Sequence, residues 1–167
     1  MKKNTTPHDN FFTKVFSQPE CSNSLLQLAL PDRFSKRLDF KTTKVSDKLH
    51  VSNKLKNQRS DVIVEINDSL RGDCFVFVLE HKSFTDPNIL IQLKQYQLQI
   101  EEKDSNAPRK TRPVVLFVFY HGKRRWKIGK HSYGYTTGVP GIDAFLTRVP
   151  YIFFNTAKWG LDDPRNE

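Results

Sequence analysis

Residues 60–82, SDVIVEI (60–66), NDSLRGD (67–73) and CFVFVLEHK (74–82), decide the fold. The first piece is β-branched, the second has turn composition, and the third carries an unbroken apolar run before its acid. The pattern predicts two adjacent strands, the second buried on both faces and therefore central. Side chains at i and i+2 share a strand face, so Glu80 and Lys82 point one way and His81 the other. If the strands pair antiparallel through the short turn, Asp61 at the start of the first meets Glu80 and Lys82 at one edge of the sheet. Two carboxylates held that close repel each other, and an oxygen-preferring divalent cation resolves the repulsion. With a lysine to hold or deprotonate a water, this is the minimum for metal-assisted phosphodiester hydrolysis. An acid and a lysine two residues apart also occur as a surface ion pair worth under about 1 kcal/mol. The apolar strand before Glu80 and the partner acid at Asp61 favour the chemical reading.

Outward from this pair, Pro7 with Phe11, Phe12, Val15 and Phe16 predicts a helix over 7–17. Ser22 or Ser24 is expected to cap a second helix that ends at Leu30-Pro31. LDFKTTKV (38–45) reads as an edge strand and 46–59 as a charged loop or ragged hairpin. Asp86-Pro87 opens a helix to about residue 103, with Ile89, Leu93, Tyr96 and Ile100 on one face. VVLFVFYH (114–121) is another doubly buried strand, and the Gly-rich stretch after it leads to a short apolar segment around Ile142 to Leu146 and then to YIFF (151–154). The order is helix, three strands, helix, strand: an α/β (α+β) chain.

The 167 residues carry 27 Lys and Arg against 18 Asp and Glu, a formal charge of +9 that makes a polyanion the first partner to consider. The charge is segregated: residues 1–40 net +2, 41–60 net +5, 61–105 net −5, 106–131 net +8 and 132–167 net −1. Basic flanks bind phosphates, whereas an acidic centre repels them unless its carboxylates hold metal. Lys123, Arg124, Arg125 and Lys127, interleaved with Trp126 and Tyr133, read as one bank of a groove that grips phosphates and stacks these rings on exposed nucleotides; Lys54, Lys56 and Arg59 read as the other. A basic loop without a base-reading helix implies weak sequence preference. No apolar run reaches bilayer length and the N-terminus lacks a signal-peptide pattern, which points to a cytoplasmic protein with no membrane partner. Cys21 and Cys74 form no CxxC pair, the histidines no HxxxH, and GKRRWKIGK is not a P-loop, so zinc enzymes and P-loop nucleotide hydrolases are disfavoured.

Asp61 with Glu80-x-Lys82 resembles the PD-(D/E)xK nuclease superfamily. The strings PHDNFFTKVF (7–16), RSDVIVEI (59–66), VLEHKSFTDPNILIQLKQY (78–96) and PVVLFVFYHGKRRW (113–126) resemble the recombination-promoting nuclease (Rpn) family, the YhgA-like transposases. The resemblance covers residues 7–126 and weakens beyond Trp126, leaving 127–167 as an extension of one nuclease domain spanning 1–167. It implies a restriction-endonuclease-like core around a mixed central sheet and bacterial, Mg²⁺-dependent DNA cleavage linked to recombination or mobile elements, with Mn²⁺ as a substitute. Asp61, Glu80 and the His81 backbone carbonyl then become the metal ligands, and Lys82 the catalytic lysine. Gln92 follows the motif strand where the superfamily places a helper, and Asp9 in the first helix is an additional acid. Ser60 replaces the motif's proline. The rival reading is an inactive nucleic-acid-binding module of the same fold serving as a transposon accessory. A homodimer is compatible with the pattern but not readable from it.

Overall fold

The computed structural model describes residues 7–46, 62–107, 111–128 and 149–156, with side chains from residue 11 onward. Its strands are β1 (Leu38–Ser46), β2 (Val62–Asp68), β3 (Cys74–Lys82), β4 (Val114–Tyr120) and β5 (Tyr151–Asn155), and they form one mixed sheet in that spatial order. β1–β2 and β2–β3 are antiparallel pairs, while β3–β4 and β4–β5 are parallel pairs. β3 is thus the middle strand, as its apolar run requires. Its register with β2 sets Val62 opposite Leu79 and Asn67 opposite Cys74. β5 was not read as a strand from its sequence, and it extends the same sheet beyond the core expected to close near residue 126.

The β2–β3 turn works through Asp68, whose carboxylate accepts the N–H groups of Leu70 at 2.8 Å and Arg71 at 3.3 Å, while Gly72 takes φ +70°, a left-handed conformation natural to glycine. The Leu70 N–H bond holds the Asp68 carboxyl below its usual range; burial opposes, and the Arg71 N–H and the Arg37 guanidinium reinforce it. β1 and β2 slip register between Asp39 and Lys44, and there the Thr42 hydroxyl accepts the Asn67 N–H at 2.9 Å, replacing a missing ladder bond.

Helices cover both faces of the sheet. On one lie α1 (Pro7–Phe16), α2 (Pro19–Ala29) and the single turn α3 (Asp32–Ser35). Phe12, Leu25, Leu26 and Leu30 pack there on Val62, Val64, Ile66, Phe77, Leu79 and Phe117. The expected cap at Ser22 or Ser24 is corrected. Pro19 starts α2 a turn earlier, because its fixed φ suits the first helical position; Ser22 instead donates to the Phe16 carbonyl and Ser24 to the Glu20 carbonyl. The other face takes α4 (Ile89–Ser105), whose Ile89, Leu93, Tyr96 and Ile100 are buried on Ile63, Val76, Val78, Leu116 and Val118. Truncating a fully buried ring such as Phe117 to alanine costs about 3–5 kcal/mol. The edge strand at 38–45 and the loop at 46–59 were expected beside each other: the strand is present as β1, and residues 47–61 lie outside the described part.

Candidate active site

The end of β3 presents its side chains to two different environments, as strand alternation demands. Glu80 and Lys82 face α4. His81 faces α1, where its ring stacks on Phe12 (centroids 4.6 Å, 22° between planes) and on His121 (4.6 Å, 15°), so only its backbone stays in play as a ligand on the Glu80 side.

On the α4 face the described side chains form a network. Lys82 Nζ lies 3.2 Å from Glu80 Oε1 and donates to Asp86 Oδ2 at 2.8 Å and to Gln92 Oε1 at 2.9 Å. Gln92 Nε2 donates in turn to Glu80 Oε1 at 2.7 Å and to the Tyr96 hydroxyl at 2.6 Å. Glu80 is only 4% exposed. Burial alone would push the Lys82 ammonium down, but Glu80 and Asp86 outweigh it and raise Lys82 above its usual range, so the lysine is charged at neutral pH. The structure therefore brings together Glu80, Lys82 and Gln92 from the expected set. It adds two residues the sequence did not single out for the site. Tyr96 had been assigned to the core, yet Gln92 and Tyr96 at i and i+4 share a helix face, a signal that points at it. Asp86 had been taken only as the helix opener. Asp61, Lys54, Lys56 and Arg59 lie outside the described residues, and Asp9 belongs to α1 with its side chain outside the description.

The acceptors beside Lys82 are hard oxygens, the Glu80 carboxylate and the Gln92 amide oxygen, and among the described residues no thiol or imidazole is bonded to them. Such a set suits Mg²⁺ or Mn²⁺ rather than zinc. Among the described residues no three His, Cys, Asp or Glu side chains cluster as a metal site. Other acids of the central block are committed elsewhere. Arg112 donates to Asp104 Oδ1 at 2.8 Å and to Glu65 Oε1 at 2.6 Å, and Arg37 pairs with Asp68. Burial works to raise Asp104, but the Arg112 side chain and backbone N–H outweigh it and hold the carboxyl below its ordinary value. The acidity of residues 61–105 is therefore in good part internal ion pairing.

Lys123, Arg124, Arg125 and Lys127 follow β4 as an exposed basic run. Trp126 corrects the expectation that it stacks on nucleotides. Its ring packs edge-on against Tyr120 at 4.9 Å and Phe153 at 5.7 Å, so it belongs to the sheet's packing; Tyr133 lies outside the described residues. The turn is tight: the Tyr120 hydroxyl donates to the Arg124 carbonyl at 2.7 Å, and a Cβ at Gly122 would meet the Tyr120 ring within 2.5 Å. No described helix is long and apolar enough to cross a membrane.

A mixed α/β fold with an acid, lysine and glutamine network at the end of its central strand defines the class. The family profile described as "Putative transposase, YhgA-like" matches residues 6–163, and the chain belongs to that family. The match runs well past Trp126, so the region where the motifs fade is part of it. The chain is 26% identical over 123 residues to "Recombination-promoting nuclease RpnD" of Escherichia coli O157:H7, covering 72% of this chain and 47% of that protein. It is 27% identical over 127 residues to "Inactive recombination-promoting nuclease-like protein RpnE" of Escherichia coli K12, covering 74% of this chain and 42% of that one. A third relative, "Putative inactive recombination-promoting nuclease-like protein YjiP" of the same strain, is 25% identical over 97 residues, 58% of this chain and 93% of that protein. The chain thus spans less than half the length of the first two. No solved structure matches it significantly.

Proposed function

We propose that the chain is a PD-(D/E)xK-type DNA endonuclease of low sequence specificity, dependent on Mg²⁺ and linked to recombination or mobile elements. The observation that carries the reading is the intact Glu80–Lys82–Gln92 network at the end of the middle strand, with every heavy-atom distance at or under 3.2 Å. Glu80 and the His81 carbonyl supply ligand oxygens. Asp61 is the second carboxylate: it immediately precedes Val62, whose partner Leu79 immediately precedes Glu80. Mg²⁺ held by these oxygens would supply a lowered pKa for the attacking water and polarisation of the phosphate. Lys82 orients that water or donates to the phosphate oxygens, Gln92 holds lysine and glutamate in fixed relation, and Lys123, Arg124, Arg125 and Lys127 grip the backbone without reading bases.

A plasmid assay tests this. Nicking is expected with Mg²⁺ or Mn²⁺ and not in excess EDTA; cleavage in EDTA would remove the metal from the mechanism. Two relatives bear names that call them inactive, which keeps a second reading alive, a DNA-binding module with this fold and no turnover. Salt-dependent DNA binding with no cleavage under any divalent cation would establish that alternative.

A further inference from the structure

Asp86 takes no part in the ligand set above, yet it is the nearest anion to the site lysine. Lys82 Nζ sits 2.8 Å from Asp86 Oδ2 against 3.2 Å from Glu80 Oε1. The same carboxylate turns the chain into α4: its other oxygen, Oδ1, accepts the Asn88 N–H at 2.9 Å, and the Asp86 carbonyl accepts the Ile89 N–H at 3.3 Å. Asn88, the residue at the N-cap of α4, offers no side-chain cap, so this turn at Asp86 supplies the polar contact at the helix entrance. α4 in turn delivers Gln92 to both Glu80 and Lys82.

We infer that Asp86 is a positioning residue, which holds the Lys82 ammonium off Glu80 and ties its placement to the start of the helix that carries Gln92. A lysine shared between two carboxylates stays between them. With Asp86 removed, Glu80 is the one carboxylate left to the ammonium among the described residues, and the ammonium closes on it, occupying the acid that the proposed reaction needs and leaving the reacting water without its donor. The inference rests on the nuclease reading for its catalytic consequence, but the anchoring itself does not depend on turnover.

Asp86→Asn and Asp86→Ser separate the two jobs, since both keep an oxygen that accepts the Asn88 N–H and neither keeps the anion. Both variants are expected to lower kcat roughly 10- to 100-fold with KM for plasmid unchanged, the signature of a group needed only for the transition state. Parent kcat in Asn and Ser variants, with loss confined to Asp86→Ala, would reduce Asp86 to a helix-entry residue and overturn the proposal. A second measurement needs no cleavage: a double-mutant cycle of urea midpoints over Asp86→Asn and Lys82→Met. Non-additive midpoints support the anchoring even if the parent protein cuts no DNA, which would defeat the nuclease reading alone; additive midpoints reject the anchoring even if it does cut.

Discussion

The two ends of α4 carry clusters of the same charge composition, one cation between two carboxylates, and they differ in what the cation is. At the C-terminal end Arg112 reaches Asp104 from its side chain and its backbone N–H, and adds Glu65 across the sheet. At the N-terminal end Lys82 distributes a point charge over Glu80, Asp86 and Gln92, groups from three segments of chain. A planar guanidinium engages several fixed oxygens at once and locks the arrangement, whereas an ammonium on a flexible stem transfers its bonds to a new acceptor with little rearrangement. One cluster is locked by a planar fork, and the other is held by single bonds to three segments of chain. Both sit on the α4 face of the sheet, so burial alone does not tell them apart.

The largest expected effect separates them outright. Lys82→Ala should cut plasmid cleavage by about 10²–10⁴-fold, with DNA binding and the circular dichroism spectrum retained. Folded Lys82→Ala protein that nicks at the parent rate would withdraw the site. Arg112→Ala should do the opposite: about 3 kcal/mol of stability lost in urea melts, because Asp104 is left buried without its cation, and cleavage per folded molecule near the parent value. A large activity loss in stable Arg112→Ala protein would erase the contrast.

Proton linkage sharpens the comparison at the C-terminal end. The Asp104 carboxyl sits below its ordinary 3.8 in the folded protein. The folded state therefore binds fewer protons there than the unfolded one, and the stabilisation is complete above about pH 5 and lost as pH falls through the ordinary value and then the lowered one. Asp104→Asn should be the less stable protein at neutral pH, and its urea midpoint should converge on the parent's once the pH is low enough to protonate the folded carboxyl. A gap that persists at that pH would mean the aspartate acts by packing rather than charge.

The smallest effect concerns DNA. Arg112 lies in the same basic stretch as Lys123, Arg124 and Arg125, but its charge is spent internally. Each exposed residue changed to glutamine should reduce the salt slope of DNA binding by about 0.9 per lost phosphate contact, alike for every duplex. Arg112→Met should leave the slope unaltered, and a decrease would show the guanidinium reaching the backbone after all.

What could be read from the residues followed locality. β3 and β4 were legible because doubly buried strands are near-continuous apolar runs, and the α4 face from Ile89 to Ile100 because its spacing is helical. Glu80, Lys82 and their shared face follow from alternation, and Gln92 was placed near them, but its bonds to both were not foreseeable. β5 was missed because its partner β4 lies some 30 residues away across a parallel pairing that no local pattern specifies. The misreading of Trp126 follows from that: among arginines and lysines it looks like a stacking platform until Phe153 of β5 is there to receive it. Asp86 was read for its place before a proline, and its reach to Lys82 needs the turn between β3 and α4 to be known.

The paired clusters also bear on how such a chain evolves. α4 is fastened to the sheet at its far end by Arg112 and along its length by buried Leu93, Tyr96 and Ile100, so most of its hold on the sheet lies away from the lysine at residue 82. On the proposed nuclease reading, a single substitution there would silence the chemistry and leave a folded, still basic protein for selection to keep, repurpose or restore. On that reading activity is one codon deep, while the scaffold beneath it is many residues deep.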